Sequence, residues 1–209
     1  MSKEDTSAPL LSGPMKGVLL FLIRFLATYL ILSVIYGQFI SHYDSLETPE
    51  ADPVTHFVTR QTVGIADLLG YETELYEDAH LYIQAAEEQT YDTIHLNDRY
   101  ALSIEEGCNA VNVMILFLAF VIGFGGKWKA MTWFLPLGLL IVHIANIGRL
   151  LLLAIINVDY DGRGYHFYHK YFFTAILYVV IFLLWVWWVN KYGMSKSVKR
   201  IDPSETPES

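Results

Sequence analysis

The sequence predicts an all-α polytopic membrane protein: four transmembrane helices with a small extracytoplasmic insertion made of an amphipathic helix and a short β unit. Three observations predict it. Of the 209 residues, 54% are hydrophobic. The apolar residues gather into runs at about 17–40, 108–125, 131–157 and 170–190, each close to the roughly 20 residues a helix needs to cross a bilayer. Tryptophan and tyrosine sit at the ends of those runs, as at Trp128 and Trp133 or Trp185, Trp187, Trp188 and Tyr192, in the pattern of an interfacial belt.

Charge orients the helices. Lys3, Lys16, Lys127, Lys129, Lys191, Lys196, Lys199 and Arg200 flank one side, whereas the long segment between the first two runs holds Arg60 and Arg99 against many acids from Asp44 to Glu106. The positive-inside rule therefore places both termini and the Lys127–Lys129 loop in the cytoplasm and the acidic segment outside. The net charge of −8 reflects that acidic segment, and nothing in the chain resembles a nucleic-acid surface.

Residues 1–16 read as a cytoplasmic tail and 17–40 as the first transmembrane helix. Its apolar run is longer than a signal-peptide core, and no small-x-small cleavage site follows in Tyr36-Gly37-Gln38-Phe39, so it reads as an uncleaved anchor. Residues 41–107 form the extracytoplasmic acidic loop. Within it, Val54, Phe57, Val58, Ile65, Leu68 and Leu69 share one helical face between Pro53 and Gly70, as in an amphipathic helix on a membrane surface. Alternating apolar and polar residues at 80–84, 93–96 and 100–104, with a turn at Asn97-Asp98, predict a small antiparallel β unit leading into Cys108. Residues 108–192 form a three-helix membrane core and 193–209 a second cytoplasmic tail.

Four features of this core bear on chemistry. Cys108 is the only cysteine, which excludes an internal disulfide and leaves a free thiol at the start of the second apolar run. The expected helix places it near a positive dipole end, which favours thiolate, with Asn112 on the same face and Asn109 beside it. Glu105 and Glu106 oppose that, so a reactive thiol needs a nearby cation. Arg149 stands inside an apolar span, where a cation costs about 2.5–3.5 kcal/mol on insertion scales and marks a functional site by default. His143, Asn146, Arg149 and Asn157 form a polar stripe on that helix. His169 opens the last helix, with His166 as its rival, so thiol, guanidinium and imidazole converge on one outer-leaflet layer. The pair His166-x-x-His169 also permits a metal site completed by Asp159, Asp161 or His143, a weak signal without a third ligand at a diagnostic spacing. Gly123-Phe124-Gly125-Gly126 is a turn, since no Lys-Ser/Thr follows it as a phosphate loop requires.

On Glu106-Gly107-Cys108-Asn109, then Asn146-x-x-Arg149, then His169-x-x-x-Phe173 running into Phe182-Leu183-Leu184-Trp185, the chain resembles the exosortase/archaeosortase family of integral-membrane cysteine transpeptidases, in particular the short, exosortase-F-like form of Bacteroidetes. The resemblance implies that Cys108, Arg149 and His169 are catalytic, with His166, Asn146, Asn109 and Asn112 as supporting or alternative residues, and no metal or cofactor. It implies cleavage of C-terminal sorting signals on exported proteins at the periplasmic face of a bacterial inner membrane, through a thioester resolved by a lipid or glycan amine or by water. A co-encoded membrane protein is a further expected partner. Two other classes fit the residues alone: a non-enzymatic membrane subunit, and a metal-dependent membrane hydrolase using His143, His166 and His169.

Overall fold

The computed structural model describes residues 13–46, 50–84, 87–162, 167–168 and 172–192. The described chain runs α1 (Gly13–Asp44), α2 (Pro53–Leu68), β1 (Thr73–Gln84), β2 (Glu87–Leu96), β3 (Arg99–Ile104), a 3₁₀ turn (Glu106–Cys108), α3 (Val111–Phe124), α4 (Trp128–Asp159) and α5 (Phe173–Tyr192). Helices α1, α4 and α5 are long and apolar enough to cross a membrane, while α3 is apolar but has 14 residues. At 1.5 Å per residue α3 extends about 21 Å, short of a typical hydrocarbon core of about 30 Å. The β unit forms as a three-stranded antiparallel sheet in the order β1-β2-β3, with Asn97 and Asp98 at positive φ in the expected turn.

Packing divides the molecule into two connected cores. At the end nearer Lys127, Phe117 and Val121 of α3, Phe134 and Val142 of α4, and Ile181 and Trp188 of α5 are buried together. Close helix approach is needed there. A Cβ on Gly138 of α4 would overlap the ring of Phe117. Trp188 closes the base, its indole N–H donating to the Gly125 carbonyl at 3.2 Å. At the other end, Leu150, Leu153, Ala154 and Val158 of α4 share a core with Val58 of α2, Ile94, Leu96, Leu102 and Ile104 of the sheet, and Cys108. With 32 residues, α4 is about 48 Å long, longer than a bilayer core is thick. One helix therefore serves as both a bundle member and the post on which the sheet is mounted.

Helix α2 uses a face that its apolar residues do not announce. Its buried positions are Thr55, Val58, Thr59, Thr62 and Ala66, packed toward the sheet and α4, while Phe57, Ile65 and Leu68 are exposed. The threonines become compatible with burial by turning hydroxyls onto their own helix: Thr59 donates to Thr55 O and Thr62 to Val58 O, both at 2.9 Å.

The expected start of the second apolar helix is corrected. Cys108 and Asn112 do not share a helical face, because Cys108 ends a 3₁₀ turn and Ala110, at φ 64°, breaks the path before α3 begins at Val111. Left-handed backbone at an alanine costs about 1–2 kcal/mol, which the surrounding contacts must offset. Asn112 is exposed on α3.

Substituting Gly138 by alanine tests the tight α3–α4 contact. The added methyl must displace the fully buried Phe117 ring, and overpacking of this kind costs about 1–3 kcal/mol. Thermal unfolding in detergent is expected to show a lower Tm for Gly138→Ala, whereas Gly148→Ala, whose Cβ meets nothing within 4 Å, does not lower it.

Candidate functional site

The segment carrying Cys108 is held from both sides by buried asparagines. On one side, Asn146 of α4 donates from Nδ2 to the Cys108 carbonyl at 2.9 Å. On the other, Asn109 Nδ2 lies 2.8 Å from Tyr36 Oη of α1, 3.2 Å from Thr55 Oγ1 and 3.4 Å from Asp52 Oδ2. The Asn109 Oδ1 accepts from Val111 N at 3.0 Å, which begins α3 and locks the left-handed step at Ala110. Asp52, Thr55, Asn109 and Asn146 are all essentially inaccessible.

Asp52 is the hub because it has two tasks. It is the N-cap of α2, accepting from Val54 N at 2.8 Å and Thr55 N at 3.3 Å, with Pro53 at the first helical position. Its other oxygen accepts from the Thr55 hydroxyl. The sequence reading did not select Asp52, Thr55 or Tyr36. The signal available was Asp52-Pro53, a capping residue followed by proline at N1.

The thiol faces a cation. Cys108 and Arg149 are 5% and 9% exposed, so both are withdrawn from solvent. Arg149 donates from Nη1 to Asn146 Oδ1 at 3.4 Å, so Asn146 touches both the cysteine backbone and the guanidinium. Among the described residues the buried Arg149 Nε has no hydrogen-bond partner and no carboxylate pairs with the guanidinium. Such a buried unpaired cation is costly and attracts an anion. Cys108 lies in the turn that precedes α3. Burial pushes its thiol pKa up, while Arg149 pulls it down through its charge and as a hydrogen-bond donor. Glu106 in the same turn is pushed up to about 7, by burial first and then by the negative charges of Asp44, Asp52 and Glu105.

The structure thus brings together Cys108, Asn109, Asn146 and Arg149 and leaves Asn112 outside. His166 and His169 lie outside the described residues. The rest of the polar stripe on α4 is used for mounting. His143 Nε2 is 2.6 Å from Gln61 Oε1 and its ring stacks on Phe57, while Asn157 donates to the Ala101 carbonyl at 2.7 Å. Asp159 accepts from the Tyr71 hydroxyl at 2.7 Å and Asp161 pairs with Arg99 at 2.6 Å. Among the described residues, His143, Asp159 and Asp161 form no shared metal cluster.

The family model described as transmembrane exosortase (Exosortase_EpsH) matches residues 11–186. No curated protein and no solved structure matches the chain.

Two measurements probe this arrangement. Alkylation of Cys108 followed against pH is expected to rise through a midpoint above that of an ordinary thiol. In Arg149→Gln the midpoint should move higher still, and a midpoint that stays put or falls would contradict the coupling. For Glu106, a folded-state pKa above the ordinary 4.5 means that its stabilising contribution is complete below that value and is lost as pH rises through about 7. Thermal melts at pH 5 and pH 8 should therefore differ less in Glu106→Gln than in the wild type.

Proposed function

The chain belongs to the transmembrane exosortase family, and on that premise we propose that it is a cysteine transpeptidase of the short Bacteroidetes type. Family membership implies a role in processing C-terminal sorting signals. The observation that supports a thiol mechanism is the buried Cys108 beside the buried Arg149, which pairs with no carboxylate among the described residues, both tied to Asn146.

In this mechanism the Cys108 sulfur loses its proton to His169, or to His166 in its place, and attacks the scissile carbonyl carbon. Charge develops first on sulfur and then on the carbonyl oxygen. Arg149 is placed to hold that charge in a site of low dielectric, where one positioned donor is typically worth about 3–4 kcal/mol. The imidazolium returns the proton to the leaving amine, the peptide C–N bond breaks, and a thioester remains on Cys108. A lipid or glycan amine, or water, then attacks the thioester and releases the thiol. Asn146 and Asn109 position the nucleophile's backbone in this scheme and take no part in the bond changes.

In this reading the Lys127–Lys129 end lies in the cytoplasm of a bacterium and the sheet end in the periplasm, an orientation that the charge distribution supports, with the short α3 as a fourth span. Substrates are exported proteins ending in a short motif, an apolar helix and a basic tail. An open groove of about 420 Å³, lined by Leu152, Ile155 and Ile156 of α4 with Tyr160 at its end and Tyr168 beyond it, offers an apolar wall for such a helix. A co-encoded membrane protein as an additional partner belongs to the same proposal.

Co-expression with an exported protein carrying such a tail, followed by immunoblot, tests the proposal. Wild type is expected to shorten the substrate. Cys108→Ala, Arg149→Ala and His169→Ala, at matched membrane abundance, should each reduce processing at least about 100-fold. Undiminished processing by Cys108→Ala would rule the thiol mechanism out.

A further inference from the structure

A second cluster of chemically capable side chains lies on the face of α2 turned to the sheet, one helical turn beyond Asp52. His56 Nδ1 is 2.9 Å from Asp92 Oδ2 of β2, and His56 Nε2 is 3.5 Å from Asp78 Oδ1 of β1. One donor atom from each of the three residues lies within 4.8 Å of the others. Asp78 reaches inward because β1 is bulged between Tyr76 and Ala79 and its own backbone stands at φ 52°. Its amide donates to Asp92 Oδ1 at 3.3 Å, and its Oδ1 accepts from Ala51 N at 2.9 Å.

Charge in this cluster does not balance. Asp92 is fully buried and Asp78 partly so, and among the described residues the imidazole is the basic group that pairs with both. Arg60, one turn further along α2, is committed to Glu77 by two hydrogen bonds at 2.6 and 2.9 Å. With His56 neutral and both carboxyls ionised, the cluster carries two negative charges, one of them on a side chain withdrawn from solvent. A divalent cation would cancel that charge.

We propose that His56 Nε2 and the Asp78 carboxylate bind a divalent transition-metal ion of the zinc or manganese kind, with Asp92 behind the ring as the carboxylate that orients it. The 3.5 Å between His56 Nε2 and Asp78 Oδ1 is close to the separation of two ligands that each lie about 2.0–2.2 Å from one tetrahedral zinc. The Nδ1–H···Asp92 contact is the arrangement that fixes the tautomer of a ligating histidine and raises its basicity. Mixed imidazole and carboxylate donors suit zinc or manganese, whereas calcium prefers an all-oxygen set of six to eight ligands. Both ligands stay partly accessible, so water can complete the coordination. The ion would clamp α2 to the β1–β2 hairpin next to the Asp52–Asn109 contact and hence brace the Cys108 segment from outside. This inference stands independently of the transpeptidase proposal.

Full-length protein purified in detergent and stripped with chelator supplies the test, with zinc chloride, manganese chloride and calcium chloride as probes in equilibrium dialysis and thermal melts. The expected result is saturable binding of one zinc or manganese ion with a raised Tm, preserved in Cys108→Ala. Binding should be lost in His56→Ala and in the rim variant Asp78→Asn, and weakened at least about tenfold in the nearly isosteric Asp92→Asn. The absence of saturable binding by the wild type would overturn the proposal, as would zinc binding that persists in either His56→Ala or Asp78→Asn or a site that prefers calcium.

Discussion

The contact on which the remaining architecture depends is the buried one between Asn109 and Asp52. It is the point where α1, α2 and the turn before α3 meet, through Tyr36, Thr55 and Asn109. A fully buried carboxylate is expensive to desolvate and is tolerated here because every partner donates to it: two backbone amides, a hydroxyl and a carboxamide. The same geometry has a structural consequence for the chain between the sheet and α3. That segment cannot close as a continuous helix, since the Asn109 side chain takes the Val111 amide and Ala110 is turned left-handed. The cysteine consequently ends up on a rigid turn, with its carbonyl presented to Asn146.

Arg149 gains its significance from the same frame. An arginine near a helix end ordinarily extends to the interface and solvates itself. Here the guanidinium is instead held by Asn146 and remains withdrawn next to a thiol, with one nitrogen unpartnered among the described residues. The balance at Cys108 is therefore between desolvation, which favours the neutral thiol, and a cation at contact range, which favours thiolate. In the proposed mechanism a substrate carbonyl would change the terms of that balance, because its oxyanion would also be stabilised by the guanidinium.

The long apolar runs were legible in the sequence because a hydrophobic segment of span length has few alternatives. The antiparallel strands were legible because alternation over 93–96 and 100–104 is broken by a dipeptide suited to positive φ. Cys108 and Arg149 stood out through what their neighbours cost them. Their junction did not, because the break before α3 falls on an alanine, a residue with no turn signature. The buried face of α2 was hidden because it is largely threonine, and hydroxyls that bond back to the helix let polar residues pack as apolar ones. The trio His56, Asp78 and Asp92 was illegible for a different reason: its members come from three elements and meet only after a bulge in β1 redirects Asp78. The exosortase family match covers 11–186 and gives no account of such side-chain detail.

The dual use of α4 has a consequence for which changes in length the chain can absorb. Its lower half meets Phe117 at Gly138, and its upper half meets the sheet through Leu153, Asn157 and Val158. Inserting one residue between these contacts would raise the upper half by about 1.5 Å and rotate it by about 100°, because a helix has 3.6 residues per turn. Asn146 and Arg149 would then keep their register with only one of the two ends between which Cys108 is held. The interval from Gly138 to Asn157 is thus a ruler of fixed length, and tolerated insertions belong in the hairpin or in the segments joining the helices.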